Sequence, residues 1–327
     1  MTPQQQTITD ELAGQTLAAV LRHWAAGESW SRIRRFVSQS RVRVNGVVCL
    51  DSARRLRTGD RLEVVAPAAH VPDVARDVRI LYVDHHLVVV DKPSGLITER
   101  RIEERGWTAA RKAQTPTLDE LLPALLAKPG TRRETSRRST GGVILVHRLD
   151  RDTSGVLVVA RTVEAARGLT SQFRKHTAER VYRAVVIGHP GEGKIVSQLV
   201  RDRGDGLRGS APSHPQGQMA ITHIRELERI GSYALVECRL ETGRTNQIRI
   251  HLSERNCPVC GDCKYNRRLD GTVIEDASGA PRLALHAMEL RFEHPLSQQQ
   301  LQFLSPWPRD LEQFVAKLRL SDDSRAT

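Results

Sequence analysis

Residues 143–161 read VILVHRLDRDTSGVLVVAR. Two apolar runs, Val143–Val146 and Val156–Ala160, flank a polar core from His147 to Gly155. Runs this short, rich in valine and bounded by turn residues, predict buried strands. The segment between them is then a loop held at strand ends, where folds commonly place their chemistry. Asp150 sits in it beside His147, Arg148 and Arg151. A carboxylate among such neighbours at a buried rim is costly unless its charge is paired and used. A lone Asp between two arginines would ordinarily be a solvated turn, so the decision falls to the rest of the chain.

The chain has 327 residues, enough for a small module and a larger domain with its own core. Fifty Lys/Arg against 38 Asp/Glu give a net charge of +12, which favours a polyanionic partner, nucleic acid before membrane. No run reaches the roughly 18 apolar residues that would span a bilayer. The opening MTPQQQTITDELAG lacks the apolar core of a secretory signal. Five cysteines, an odd number, suit a reducing cytoplasm better than a disulfide framework.

Upstream of the central stretch, residues 1–11 are polar and read as loose. Leu17, Val20, Leu21 and Trp24 then recur at helical spacing. Ser29 or Ser31 can cap a second helix, SRIRRFVSQS, that turns Ile33, Phe36 and Val37 inward and Arg32, Arg34 and Arg35 outward. Val42-Arg43-Val44 and Val47-Val48 flank an Asn-Gly hairpin turn, and Thr58-Gly59-Asp60 leads into a last strand. Residues 12–66 hold ten Arg, no Lys and four Asp/Glu, a net +6. About half of the excess charge thus lies in about a sixth of the length. Residues 67–78, with Pro67 and Pro72, read as a linker. Strands resume at Val78–Val83 and Leu87–Val90, ending in Asp91-Lys92-Pro93-Ser94-Gly95-Leu96. From Thr98 to Gly142 the chain is charged and irregular apart from a helix in LDELLPALLAKPG. There Arg132, Arg133, Arg137 and Arg138 either touch phosphate or keep a loop soluble.

Downstream, Val163–Phe173 reads as a helix and Val181–Ile187 as a strand carrying Tyr182, preceded by Arg180. Residues 188–219 form a long hairpin or surface excursion. Ala234–Leu240 alternates as a strand and runs into ETGRTNQIRIHL, residues 241–252, which contains Arg244 and Arg249.

The string HRLDxxTSG at 147–155 resembles the catalytic motif of the RluA-type pseudouridine synthases. DKPSGL at 91–96 and residues 241–252 resemble two further motifs of that family, with Asn246 where a His is usual. Arg180 replaces a Lys in the family's Lys-x-Tyr-x-Ala-x-Val pattern, and Gly261-Asp262-x-x-Tyr265 and Leu285-His286-Ala287 also fit. The likeness runs from about Arg79 to Pro308. The order of elements in residues 12–66, with VRVNG and GDRLEVV, resembles the small RNA-binding fold of ribosomal protein S4. What these resemblances imply is an α+β catalytic domain, residues 79–320, on a mixed, largely antiparallel sheet, preceded by an S4-like module, 12–66. Asp150 is then the reactive carboxylate, Arg249 the bidentate guanidinium facing it, and Tyr182 the platform for a flipped uracil. Arg148 occupies the space that the base vacates. Arg32, Arg34, Arg35, Arg43, Arg180 and Arg244 are expected to contact RNA. Among targets, large-subunit rRNA is favoured over tRNA. The isomerisation is redox-neutral and needs no cofactor, and the protein is expected to be a cytoplasmic monomer without membrane attachment.

Two other readings compete. Cys257, Cys260 and Cys263 invite a zinc site, but zinc takes four ligands, the chain has no second CxxC, and only His251 offers itself; no metal is expected. Asp150-Arg151-Asp152-Thr153 suggests a DxDxT phosphotransferase, though the threonine comes one residue early. A non-catalytic rRNA-binding assembly factor is the third class, opposed by the presence of Asp150, Tyr182 and Arg249 together.

Overall fold

The computed structural model describes residues 4–25, 27–38, 41–45, 47–49, 51–64, 77–127, 142–204, 207–211 and 214–326. The chain divides into two compact units, residues 1–72 and 73–327. Most of the stretch read as a linker, and Arg132, Arg133, Arg137 and Arg138, lie outside the described residues.

The first unit packs α1 (Leu17–Trp24) and α2 (Trp30–Ser38) on an antiparallel sheet of β1 (Gln4–Thr7), β2 (Val42–Val44), β3 (Val47–Val48) and β4 (Arg61–Val64), in the order β1-β4-β2-β3. Thr16 caps α1, its hydroxyl accepting from the Ala19 amide at 3.3 Å, and Ser29 does the same for Arg32 at the start of α2. Leu17, Val20, Leu21, Ile33, Val37, Val42, Val44, Leu62 and Val64 close the core. Asn45 takes the left-handed conformation that the hairpin turn needs, at φ 55°. Its side chain ties that turn to Asp60 and to the Arg61 amide at 2.8 and 2.7 Å. Arg32, Arg34, Arg35 and Arg43 are all exposed. The reading of residues 1–11 as loose is corrected from Gln4 onward. Gln4–Thr7 pairs with β4 residue by residue, and Ile8 is buried behind it. An edge strand is held by backbone hydrogen bonds, so a polar Gln-Gln-Gln-Thr run can fill it without any apolar alternation.

The second unit is built on one eleven-stranded sheet. Its strands are β5 (Arg79–Val83), β6 (Leu87–Lys92), β7 (Ile144–Leu145), β8 (Ser154–Ala160), β9 (Glu179–Ile187), β10 (Gly193–Val200), β11 (Gly209–Ser210), β12 (Gln218–Ile230), β13 (Tyr233–Leu240), β14 (Leu285–Glu293) and β15 (Gln300–Leu304). The main path runs β11-β10-β12-β13-β9-β14-β8-β6-β5, with β15 beside β14 and β7 beside β8. Among the described strands only the β8–β14 pair is parallel, so the sheet is mixed and largely antiparallel. Strands β6 and β8 are buried along their whole lengths, which is why they read as unbroken apolar runs rather than alternation. The helices are α3 (Ala109–Gln114), α4 (Leu118–Leu126), α5 (Val163–Lys175), α6 (Gln247–Glu254) and α7 (Arg309–Ala326). Helix α3 lies in the stretch read as irregular; six residues, AARKAQ, carry too little apolar period to show. Among the described residues, no helix is long and apolar enough to cross a membrane.

Candidate active site

The loop before β8 is shaped by what it must pass. Gly155 lies against β14, with φ 118°, and a Cβ there would stand 2.2 Å from the Ala287 carbonyl oxygen. Only glycine fits that approach. Behind the loop, the DKPSGLIT segment takes hold of backbone carbonyls. Thr98 Oγ1 donates to the Leu149 carbonyl at 2.7 Å and Ser94 Oγ to that of Asp152 at 2.7 Å. The Arg151 carbonyl accepts from the Gly95 amide at 2.8 Å and from Lys92 Nζ at 3.1 Å. Lys92 is wholly buried and also donates to the carbonyls of Pro93 and Leu96. Burial pulls its ammonium down to about 7, against the pull of the Asp152 and Asp150 charges.

His147 serves the same frame. Its Nε2 accepts the Val158 amide at 3.1 Å, and its ring stacks on Phe173 with centroids 4.3 Å apart. Burial, helped by the Arg180 charge, lowers its pKa to about 3, so the imidazole stays neutral and keeps that lone pair. Leu149 is core, and Arg148 projects into solvent. What the loop presents inward is Asp150.

Arg249 meets it from α6. This helix is pinned to β12 by two buried side chains. Gln247 accepts from Thr242 Oγ1 and the Arg244 amide and donates to the Ile221 carbonyl and Thr222 Oγ1, all at 2.8–3.0 Å. His251 bridges Thr222 and Ser197 at 2.9 Å each. Thus anchored, Arg249 gives its two-pronged face to Asp262, Nε to Oδ2 at 2.6 Å and Nη2 to Oδ1 at 2.8 Å. Its remaining Nη1 lies 3.6 Å from Asp150 Oδ2 and donates to Asn246 Oδ1 at 3.2 Å. The expectation of a bidentate Arg249–Asp150 pair is therefore corrected: the fork is occupied by Asp262, and Asp150 receives one edge of the guanidinium. Burial works to raise the Asp262 pKa, but the Arg249 charge and hydrogen bonds, with the Lys264 and Tyr265 amides, hold its carboxyl below the usual range. Asn246, in the left-handed region at φ 59°, donates its amide to the Tyr265 hydroxyl at 3.1 Å. The Tyr265 ring lies 5.0 Å from the Arg249 guanidinium. An amide at position 246 thus both accepts and donates, linking Arg249 to Tyr265.

Tyr182 is buried on β9. Burial pushes its phenol up to about 12, with Arg180 pulling down and the nearby Asp150 charge adding to the rise. Asp150, Tyr182 and Arg249 are therefore brought together. Arg180, expected among the RNA contacts, is instead buried. Its Nη2 donates to the Glu241 and Leu240 carbonyls at 2.9 and 3.4 Å. That places it as a tie between β9 and the end of β13, not as an outward cation. Arg244 is half-buried, its Nε donating to the Met219 carbonyl at 2.9 Å. Cys257 and Cys260 are buried, and burial raises both thiols. Among the described residues, no three or more His, Cys, Asp or Glu are grouped to hold a metal ion. Sequence reasoning missed the parts played by Lys92, Gln247 and Asp262. For Asp262 a signal was available in Gly261-Asp262-x-x-Tyr265, an acid beside a glycine whose Cβ would meet the Arg282 carbonyl at 2.2 Å.

Comparison with known proteins adds the following. The profile of the RNA pseudouridylate synthase family matches residues 86–254, and that of the S4 domain matches residues 16–62. The ribosomal large subunit pseudouridine synthase D of Neisseria meningitidis serogroup A is 37% identical over 325 residues, covering 96% of this chain and 81% of that protein. The protein of the same name from Zymomonas mobilis is 32% identical, covering 98% and 99%. Among solved structures, human RNA pseudouridylate synthase domain containing 4 superposes with a TM-score of 0.57 at 25% identity, over 75% of this chain and 94% of that one. With identity at this level along nearly its full length, the chain belongs to the RNA pseudouridylate synthase family and carries an S4 domain ahead of its catalytic unit.

Proposed function

We propose that this chain converts uridines of large-subunit rRNA to pseudouridine, with Asp150 as the carboxylate that acts on the target nucleotide. The reaction breaks the bond from ribose C1′ to N1 of uracil, turns the base, joins C1′ to C5 and releases the C5 hydrogen. The target must leave its stack to be reached. In this reading Tyr182 supports the flipped uracil and Arg148 fills the vacated space. Arg249 neutralises and aims Asp150 through its Nη1 edge, which Asn246 also holds, while Asp262 fixes the guanidinium plane. Arg32, Arg34, Arg35 and Arg43 hold phosphates through the S4 domain, and Arg244, on the segment leading into α6, does so in the catalytic unit. The chemistry draws on no cofactor, and the protein works as a monomer in the cytoplasm.

The observation that carries the proposal is the 3.6 Å approach of Arg249 Nη1 to Asp150 Oδ2, in a site where the other two guanidinium nitrogens are already committed. The choice of rRNA rests on the names of the relatives and on the basic S4 domain. The test is tritium release from rRNA labelled at uracil C5, run beside filter binding on the same preparations. Asp150→Asn is isosteric and lies away from the phosphate contacts. It is expected to abolish release while leaving RNA affinity unchanged. Normal release by that variant would overturn the mechanism.

A further inference from the structure

The sheet has a second face, opposite the active site. Tyr182 pairs with Cys238, and Thr222 with Leu240, on the side covered by α6. Side chains alternate along a strand, so their neighbours point the other way. Those neighbours are mostly cationic. Lys194 is paired with His223, and His223 with Arg239; Arg225 is paired with Glu237, and Glu237 with Arg183. The first row crosses β10, β12 and β13, and the second β12, β13 and β9. Arg225 and Arg239 are 60% and 56% exposed, and the apolar Val196 and Met219 stand open beside them on β10 and β12. Helix α7 meets β12 farther along, where Arg319 pairs with Glu228.

Two carboxylates serve these cations. Glu237 lies 3.3 Å from Arg225 and 3.0 Å from Arg239, and Glu241 lies 3.0 Å from Lys194 and 2.5 Å from His223. Glu241 is exposed, and Glu237 lies beneath the exposed arginines it pairs with. Solvent-exposed cations paired this way add little to stability, so stability alone does not account for the cluster. What the shared carboxylates do is hold long side chains in fixed rows while leaving four Lys/Arg against two Glu. An ordered, net positive surface of this kind matches the phosphate backbone of a nucleic acid helix.

We propose that the rows Lys194–His223–Arg239 and Arg225–Glu237–Arg183 form a second RNA-binding surface, which takes the phosphates of a helical segment distant from the target uridine. The inference rests on the reading that the substrate is a large structured RNA. It differs from that reading in placing RNA on both faces of the sheet. A short stem-loop that fills only the active site would not reach this surface; a long rRNA transcript would.

The test compares the full-length protein with Arg225→Gln/Arg239→Gln and with the charge-keeping Arg225→Lys/Arg239→Lys. Binding to a large-subunit rRNA transcript and to a short stem-loop is measured across a range of salt. For the transcript, loss of two phosphate contacts should make the slope of log K against log salt shallower by about 1.8. The lysine variant should keep the wild-type slope, and the stem-loop slope should not change. Turnover at saturating RNA should equal that of the wild type. An unchanged transcript slope for the glutamine variant would overturn the proposal. So would a lysine variant as impaired as the glutamine one, or a normal RNA slope with loss of a ribosomal protein partner. A wild-type protein that binds the transcript but releases no tritium would overturn the proposed activity instead, leaving the slope comparison intact.

Discussion

Asp262→Asn is the substitution that most directly probes how the active site is held. The Asp262 side chain has no exposure and that of Arg249 only 10%, so the pair is dry. Removing one partner of a buried pair costs about 3–5 kcal/mol, because the other charge stays buried without compensation. Asparagine keeps one oxygen toward the guanidinium but turns an NH2 toward its second prong, so we expect about 3 kcal/mol, at the lower end of that range. For a domain of this size that corresponds to a fall in melting temperature of roughly 6–12 °C. Activity should fall as well, since Arg249 would no longer be fixed where its Nη1 meets Asp150. Losing a hydrogen bond to a charged group in the transition state costs about 1.5–3 kcal/mol, or roughly ten- to a hundredfold in rate. The pH dependence has a definite sign. The folded Asp262 carboxyl titrates below its ordinary value, so its contribution is present above about pH 4 and lost as pH falls through the folded value. The gap between wild type and variant should therefore narrow in acid. Thermal unfolding by circular dichroism at neutral and acid pH, with tritium release at saturating RNA, measures all of this. A variant melting within about 2 °C of wild type at neutral pH, or a gap that widens in acid, would refute the reasoning.

Gly155→Ala should prevent folding or cost more than about 3 kcal/mol, because the new Cβ meets backbone on β14 at a positive φ; soluble yield and urea midpoint report it. His147 is held neutral down to about 3, whereas an unfolded imidazole titrates near about 6.5. Its contribution is complete above about pH 6.5 and drains as pH falls from there toward 3. His147→Gln should flatten the urea midpoint across that window, partly, since His251 and His286 are also lowered, to about 4. Deleting residues 1–66 should weaken rRNA binding and make its salt slope shallower, because fewer counterions are released; filter binding with unchanged affinity and slope would contradict the role given to the S4 domain.

Much of this was written into particular residues. The Val-rich run after Asp150 announced β8 because a strand buried on both faces needs no polar alternation. Val143–Val146, expected as a buried strand, instead pairs only over Ile144–Leu145 and stays partly exposed. The Asn-Gly turn at 45–46 announced the β2–β3 hairpin through its demand for positive φ. Helix α6 was hidden for a converse reason. Ile248, Ile250 and Leu252 alternate like a strand, and all of Gln247–Ser253 is buried, so no polar face marks a helical period. The Arg249–Asp262 fork was hidden because its partners come from segments thirteen residues apart, and nothing local says which acid an arginine will choose. Arg180 misled because a cation before a strand reads as surface when its carbonyl partners lie some sixty residues downstream.

The grip on the loop by its carbonyls bears on how this sequence can vary. In the string HRLDxxTSG, the two open positions are 151 and 152. Those are the residues whose backbone oxygens are held by Lys92, Ser94 and Gly95. A carbonyl is the same whatever side chain follows it, so the loop keeps its shape while residues 151 and 152 drift. The fixed identities move to the other side of these hydrogen bonds, where a lysine and a serine must supply side-chain donors. Mutational tolerance in this protein should therefore be lopsided: wide at the two positions after the reactive carboxylate, and narrow at Lys92 and Ser94, more than fifty residues away in the chain.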